Sequence, residues 1–431
     1  MILRRVVIAV LLLCAAVTAY ADDAAGLVVH ADQPLGTISP YVLGANFGIY
    51  SAIPAPMIPA AQQSGVRFLR WGGGFSDERE LTSSNIDNFI MTARLVGAEP
   101  AITVRLHNST PEASAEDVRY TNIQRGYNVR YWSIGNEPTL FASLFNIPYD
   151  AAAYNAEWRA HAEAMLAVDP SIVLVGPDLH QYPGIPEQNL RDSAGRDWLE
   201  AFLEANGDLV GIVSVHRYPF PRSQANPVVT RDELRTNTRE WDAHILPSMR
   251  ETIARVTGRD LPIAVTEINS SWANNIGGEA TMDSLYNAIW YGDVLGRLIR
   301  GGVTIAAYWD FQRRDRSFGL IAGSEVRPTY YTFQMYARFG ETALATDSTV
   351  ADLNVYAAQR DDGALTVMIV NLSAEAQTAP LTLHGFTPAA MAEAWRLDAD
   401  HNAEMIDPVT LDGTITVPRD SLTLLVIPPG G

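Results

Sequence analysis

The sequence predicts an α/β chain, a (β/α)8 TIM barrel followed by a C-terminal β-sandwich. Three observations carry that expectation. Between Tyr41 and Phe339 short apolar runs alternate with longer segments of helical period, the signature of repeated βα units. After Gly340 the helical period gives way to alternating runs separated by turn residues. The 431 residues exceed one ordinary domain but suit a barrel of about 250 residues plus a smaller unit.

Residues 1–21 are set apart from the fold. Arg4 and Arg5 form a positive n-region, Val6 to Ala16 is apolar, and Ala19-Tyr20-Ala21 is an A-x-A cleavage signal. Together they read as a secretory signal peptide, with the mature chain starting near Asp22. The expected location is therefore secreted or periplasmic, with no membrane attachment after cleavage. Cys14 is the single cysteine and lies inside this segment. Leu13 stands where a small residue would precede a lipid-modified cysteine. Neither disulfides nor thiol catalysis is expected of the mature chain.

Residues 22–37 form an N-terminal segment in which Gly26–Ala31 could add a strand to the sandwich. The barrel is expected over 38–340. Its eight candidate strands are Tyr41–Phe47, Val66–Trp71, Pro100–Leu106, Tyr131–Gly135, Ile172–Pro177, Leu209–Val215, Pro262–Thr266 and Val303–Trp309. Most are nearly continuous apolar runs, as parallel strands covered on both faces require. Asp150 is placed to cap a helix carrying Tyr154, Trp158, Ala162 and Met165 on one face. Thr281 is placed to cap another, with Tyr286, Ile289, Trp290 and Leu298, which Gly301-Gly302 stops. Thr329 to Phe339 gives the last helix, and Ala115 to Ile123 a short third one. In the tail, 341–431, Asn354–Arg360 and Ala364–Asn371 flank the turn Asp361-Asp362-Gly363, a hairpin signal. Alternating runs follow at Pro380–Leu383, Ala392–Leu397, Thr414–Val417 and Ser421–Ile427, which reads as a small sandwich.

Composition narrows the function. Hydrophobic residues make up 47% and aromatics 9%, enough for a large core. The net charge is −18, and removing Arg4 and Arg5 leaves −20. Such a chain repels phosphate backbones, so nucleic acid is not an expected partner. A neutral carbohydrate is easier to accommodate. Nothing in the sequence sets the oligomeric state.

In barrels of this kind the active site lies at the C-terminal ends of the strands. Two glutamates fall there: Glu137, closing Tyr131-Trp132-Ser133-Ile134-Gly135-Asn136-Glu137-Pro138, and Glu267, closing Pro262-Ile263-Ala264-Val265-Thr266-Glu267. Two carboxyl groups converging across a barrel mouth are what glycosidic bond cleavage requires. One is held protonated to assist the leaving oxygen, and the other stays ionised to attack the anomeric carbon. The competing reading makes each an ordinary strand-end ion-pair partner.

The pattern Asn-Glu-Pro after the fourth run with Thr-Glu after the seventh resembles the large clan of retaining glycosidases built on (β/α)8 barrels. The runs Ile38-Ser39-Pro40-Tyr41-Val42-Leu43-Gly44-Ala45-Asn46 and Leu69-Arg70-Trp71-Gly72-Gly73 are similar to openings in its arabinofuranosidase, β-xylosidase, xyloglucanase/endoglucanase and β-glucuronidase branches. Thr266-Glu267-Ile268-Asn269-Ser270-Ser271 looks most like the β-xylosidase branch, and Ile134-Gly135-Asn136-Glu137-Pro138 leans toward the β-glucuronidase and arabinofuranosidase branches. The resemblance implies that Glu137 is the acid/base and Glu267 the nucleophile. It also implies that Asn136 bonds the sugar 2-hydroxyl and that Arg70 holds the nucleophile ionised. His216 and Tyr218 would lie beside the nucleophile, and Trp309 would form a platform under the sugar ring. Each has a bland alternative: a capping amide for Asn136, a surface ion pair for Arg70, packing for His216, Tyr218 and Trp309.

Trp71, Trp272, Asp178, His180, His107 and Asp310 also fall near strand ends, as further candidates for substrate contact. Asp178, His180 and His216 could lie near one another, but no metal-ligand spacing accompanies them. No metal and no cofactor is expected. There is no Gly-x-Ser-x-Gly elbow, and Trp71-Gly72-Gly73-Gly74 lacks the Lys-Ser/Thr of a phosphate loop. Those glycines instead let the chain pass close to the site.

The expected function is a secreted retaining glycoside hydrolase acting on a β-linked plant-type glycan (xylan, xyloglucan or glucan). An α-L-arabinofuranosidase or β-glucuronidase is the alternative within the clan. Arg313, Arg314 and Arg316 keep a uronic acid open, against a solvated charge run. A non-catalytic carbohydrate-binding barrel is the rival of another class, and a transglycosylase would share the same residues.

Overall fold

The computed structural model describes residues 26–220, 229–273, 275–315 and 318–430. The expected signal peptide with Cys14, and Arg316, lie outside the described residues. The described residues begin with β1, Leu27–Thr37, and then close a parallel barrel of eight strands in sequence order. These are β2 (Gly44–Phe47), β3 (Phe68–Trp71), β4 (Glu99–Val104), β5 (Tyr131–Ile134), β6 (Val173–Leu179), β7 (Ile212–Arg217), β8 (Ile263–Ile268) and β9 (Ile305–Tyr308). Each lies in one of the eight apolar runs, shifted by a few residues at its ends. The seventh run extends further than expected, because β8 continues through Glu267 to Ile268.

The helices follow their caps. Asp150 accepts from Ala151 N and starts Ala151–Val168, which buries Tyr154, Trp158, Ala162 and Met165. Burying a large apolar side chain such as Met165 contributes about 1.5–3 kcal/mol. The next expected cap is corrected: Ser284, not Thr281, caps Leu285–Arg300, accepting from Asn287 N. The Thr281 hydroxyl is engaged with Gly278 and Asp283 in the preceding turn. This helix is buried on every side from Tyr286 to Ile299, because the barrel lies on one flank and the second domain on the other. The short third helix runs Pro111–Val118 and continues as a wider turn to Gln124.

Past the barrel, β10 (Gln312–Arg313), β11 (Ile321–Ala322) and β12 (Glu325–Val326) form a small sheet in the loop after β9. The tail contains β13 (Thr342–Ser348), β14 (Leu353–Gln359), β15 (Leu365–Asn371), β16 (Gln377–His384), β17 (Met391–Leu397), β18 (Asn402–Thr410), β19 (Thr414–Val417) and β20 (Ser421–Ile427). With β1 they make one curled sheet in the order β18-β17-β20-β15-β14-β13-β1-β16-β19. It encloses its own core of Leu27, Val355, Val367, Ile369 and Leu425. The sequence left β13 and β18 unmarked. The first alternates only weakly, and the second is an edge strand carrying Pro408, where pairing on one side tolerates polar residues.

The outer face of β14, β15 and β20 packs on the barrel through Tyr356, Met368, Val370, Leu422 and Leu424. A buried polar contact fixes the docking: Tyr356 donates to Asp293 at 2.7 Å, and Arg297 donates to the same carboxylate at 3.0 Å.

Candidate active site

The barrel interior is layered by strand alternation, since residues two apart share a face. Phe68, Ala101, Tyr131, Val175, Ile212, Ala264 and Ile305 form an apolar layer across the lower barrel. Two residues further along the same strands stand Arg70, Ser214 and Thr266, all buried. Asn46 of β2 joins them from the neighbouring strand. The floor of the site is therefore polar and sealed from below by hydrocarbon.

Three acids reach this floor at breaks in the alternation. In β8 one extra residue intervenes relative to β7, where Val215 pairs with Val265 but His216 pairs with Glu267. That bulge lets Thr266 and Glu267 both face the barrel mouth, although an unbroken strand would turn one of them outward. β6 carries a similar extra residue at Asp178, whose φ is +53°. Glu137 follows β5 with φ +51°, a left-handed backbone that is uncommon outside glycine.

Arg70 ties the floor together. Its Nη1 donates to Asn46 Oδ1 at 2.9 Å and Glu267 Oε1 at 3.2 Å, and its Nη2 to Asn136 Oδ1 at 2.8 Å and Asp178 Oδ2 at 2.9 Å. Burial works against its charge, but Asp178 and Glu267 outweigh burial and hold its pKa above the usual value. Asp178 also accepts from the Ser214 hydroxyl, and from Thr266 Oγ1 at 2.6 Å. Burial favours its neutral form, yet Arg70 foremost, then His216 and the hydroxyls, hold it below the ordinary carboxylate range.

Glu267 is 4% exposed and receives the Tyr218 hydroxyl on Oε2 at 2.7 Å. Burial pushes its carboxyl up. His216, Arg70 and Tyr218 pull it back while Glu137 adds to the rise, and the net direction is upward. The resemblance implies that Arg70 holds this group ionised; Arg70 opposes the rise without cancelling it, because burial comes first and the Glu137 charge adds to it. His216 Nδ1 lies 2.8 Å from Glu137 Oε1 and 3.7 Å from Glu267 Oε2. It stands between the two carboxyl groups rather than beside Glu267 alone. Burial lowers its pKa, and Glu267 and Glu137 more than restore it.

The structure thus brings Asn136, Glu137, Arg70, His216, Tyr218 and Glu267 together. Trp309 stands half-buried on the rim, between Gly73 and the Arg313 guanidinium. Glycine is required at both near positions of the β3 loop. A Cβ at Gly72 would lie 2.3 Å from Arg70 Cζ, and one at Gly73 would lie 2.4 Å from the Trp309 ring.

Other candidates fall elsewhere. Trp71 packs in the core against Phe75 and Phe89. Trp272 is 54% exposed in the loop after β8. Asp178 is a buried partner of Arg70, not a substrate contact. His180 bonds Thr139 at 2.6 Å, and His107 stacks on Phe145. Arg313 is no solvated charge: it pairs with buried Asp310 and sits over the Tyr50, Trp309 and Phe318 rings. Arg314 lines a separate groove of about 490 Å³ with Phe47, Asn85, Asn88 and Phe89.

Sequence reasoning assigned no role to Asn46 or Asp77. Asn46 fixes Arg70 while donating to Thr266 O at 2.9 Å and Ala307 O at 3.1 Å. An asparagine near the end of an otherwise apolar run was the available signal. Asp77 had none.

Glu137, His216 and Glu267 each offer an atom within 4.8 Å of the others, a spacing open to a metal ion. Glu267 already receives Arg70 and Tyr218 on its two oxygens, so a cation bound there would face a guanidinium. The donor set fits proton transfer better than metal binding.

No protein-family model matches the sequence. Among solved structures, the chain is similar to a bifunctional glucanase-xylanase from a metagenome library. The identity is 20%, over 94% of this chain and 99% of that one, with a TM-score of 0.74. It is similar to the α-L-arabinofuranosidase of Thermotoga maritima in its arabinose complex, at 18% identity over 93% and 99% of the two chains, with a TM-score of 0.74. A xyloglucanase of glycoside hydrolase family 44 from Paenibacillus polymyxa follows at 16% identity over 94% and 99%, with a TM-score of 0.72. The fold is shared with these enzymes.

Proposed function

We propose that the chain is a secreted retaining glycoside hydrolase acting on a β-linked plant-type glycan (xylan, xyloglucan or glucan). One observation carries the reaction class: carboxyl oxygens of Glu137 and Glu267 lie within 4.8 Å of each other at the barrel mouth. Retention needs carboxyl groups about 5–5.5 Å apart, whereas inversion needs roughly 6.5–9.5 Å to admit a water. Glu267 is the carboxyl that receives a guanidinium and a phenol. Glu137 receives neither, and its side chain keeps 19% exposure toward the mouth. Attack is therefore assigned to Glu267 and proton transfer to Glu137.

In the first step Glu267 forms a bond to the anomeric carbon as the glycosidic C–O bond breaks, and Glu137 protonates the departing oxygen. In the second, Glu137 takes a proton from water, whose oxygen displaces Glu267. Asn136, held through its Oδ1 by Arg70, keeps its amide N–H for the sugar 2-hydroxyl. Trp309 offers its ring to the sugar's C–H face.

The engagement of Arg313 by Asp310 argues for a neutral sugar over a uronic acid. An α-L-arabinofuranoside remains the second reading, favoured by the likeness to an arabinofuranosidase. A panel of chromogenic glycosides and polysaccharides, with product anomer followed by NMR, tests the proposal. Retained configuration is expected, and Glu267→Gln is expected to abolish turnover while sugar binding persists. Inverted product, or undiminished hydrolysis by that variant, would refute it; a non-catalytic binding barrel predicts no turnover at all.

A further inference from the structure

Asp77 lies outside every motif, yet its carboxylate gathers three segments of the barrel mouth. It sits in the short helix Phe75–Glu78 after β3 and is 2% exposed. Its Oδ1 accepts the backbone N–H groups of Leu106 at 2.8 Å and His107 at 3.0 Å, both just past β4. Its Oδ2 accepts the N–H of Asn136 at 2.7 Å, just past β5. Burial pushes this carboxyl up to about 6, opposed by those three N–H groups. A buried acid of this kind is costly unless its acceptors are used. Here all the partners are main-chain groups of loops that carry the site.

The Asn136 N–H belongs to the peptide immediately before the one linking Asn136 to Glu137, the residue whose backbone is left-handed. Such a conformation persists only where its surroundings impose it. Glu137 is gripped at two places: at its carboxyl by His216 Nδ1, 2.8 Å away, and through the preceding residue by Asp77. Asn136 is gripped at two as well, through its side chain by Arg70 and through its N–H by Asp77.

We propose that Asp77 is a positioning residue for the acid/base step, acting through the Asn136 backbone to set where the Glu137 carboxyl stands over the leaving oxygen. The inference rests on the reading of Glu137 as the acid/base. Asp77→Asn isolates the effect. An amide has one acceptor oxygen, which best serves the two N–H groups of Leu106 and His107, and its NH2 then opposes the Asn136 N–H, donor against donor. The packing volume is kept, so the loop that shifts is the one carrying Glu137.

The test compares wild type, Asp77→Asn and Glu137→Gln on two glycosides of the sugar preferred in the panel. One carries 2,4-dinitrophenol, which departs without protonation, and the other carries methanol, which needs it. A displacement of about 1 Å costs on the order of 100-fold, and general acid catalysis contributes about 10²–10⁴-fold. Asp77→Asn is therefore expected to lose roughly 10- to 100-fold in kcat/KM on the methyl glycoside and less than about threefold on the dinitrophenyl glycoside. Equal loss on both substrates would make Asp77 a general structural residue and overturn the proposal, as would no loss on either. Glu137→Gln separates the two readings: if it shows no leaving-group selectivity, the acid/base assignment fails, and the proposal for Asp77 falls with it. Should Asp77→Asn not fold, Asp77→Ser, which leaves room for water to accept the same N–H groups, is measured in its place. Failure of both to fold would assign Asp77 to folding and overturn the positioning role.

Discussion

Removing one oxygen atom at Tyr218 gives the sharpest test of how the site is balanced. The Tyr218 hydroxyl donates to Glu267 Oε2 at 2.7 Å inside a buried cluster, and Tyr218 itself is 4% exposed. A hydrogen bond to a charged acceptor contributes about 1.5–3 kcal/mol. At 1.36 kcal/mol per decade, Tyr218→Phe should lower kcat/KM by roughly 10- to 150-fold. The loss should depend on pH in a definite direction. Tyr218 lowers the Glu267 pKa, against a rise set first by burial, so its removal raises that pKa further. The acid limb of kcat/KM reports the free enzyme's groups and should move to higher pH, making the loss greatest in acid. Initial rates on a chromogenic glycoside across the pH range, with stability checked at each pH, measure both quantities. A limb that stays in place or moves to lower pH would refute the role given to this bond.

Three further outcomes follow from the same network. Arg70→Met leaves Asp178 and Glu267 buried without their cation, and denaturant titration should find about 3–5 kcal/mol of lost stability; a loss below about 1 kcal/mol would mean the carboxylates find other partners. Asp178 has a folded pKa depressed below its unfolded value, with Arg70 outweighing burial. Its stabilisation is present above the unfolded carboxylate pKa of about 3.9 and is lost as pH falls through the folded one. Asp178→Asn should accordingly flatten the fall in stability with acid over that window, and an unchanged slope would contradict the assignment. Gly72→Ala places a Cβ 2.3 Å from Arg70 Cζ, and Arg70, pinned by four acceptors, has nowhere to move. Activity should drop on the order of 100-fold with the fold retained by circular dichroism, whereas wild-type activity would show that the guanidinium is free to yield.

Much of the fold was legible because its signals are local. A buried parallel strand must be apolar along its length, so each of the eight runs could be found without its neighbours. Asp150 could be recognised as a cap from its place before Tyr154, Trp158, Ala162 and Met165. The misplaced cap at Thr281 shows the limit of such signals. Thr281 and Ser284 are both suitable residues, and only the turn that engages Thr281 with Gly278 and Asp283 leaves Ser284 to start the helix. The edge strand β18 was missed because an edge does not need the apolar face that marks a strand from sequence.

For the site, Glu137 and Glu267 stood out as charges closing apolar runs, and Asn136, Arg70, His216 and Tyr218 were reached by resemblance around them. By itself the sequence determined which residues arrive at the barrel mouth, because that depends on where each strand ends. It did not determine which way they point. Glu267 faces Arg70 and Tyr218 because β8 holds one residue more than β7 at that level, and Asp178 meets Arg70 because β6 holds one more at its own. Side-chain direction follows the parity of pairing between strands some fifty residues apart in sequence (Val215 with Val265), which no local window contains. Asp77 was silent for the same reason: its three partners are backbone N–H groups, which every sequence supplies and only the tertiary structure brings to one carboxylate.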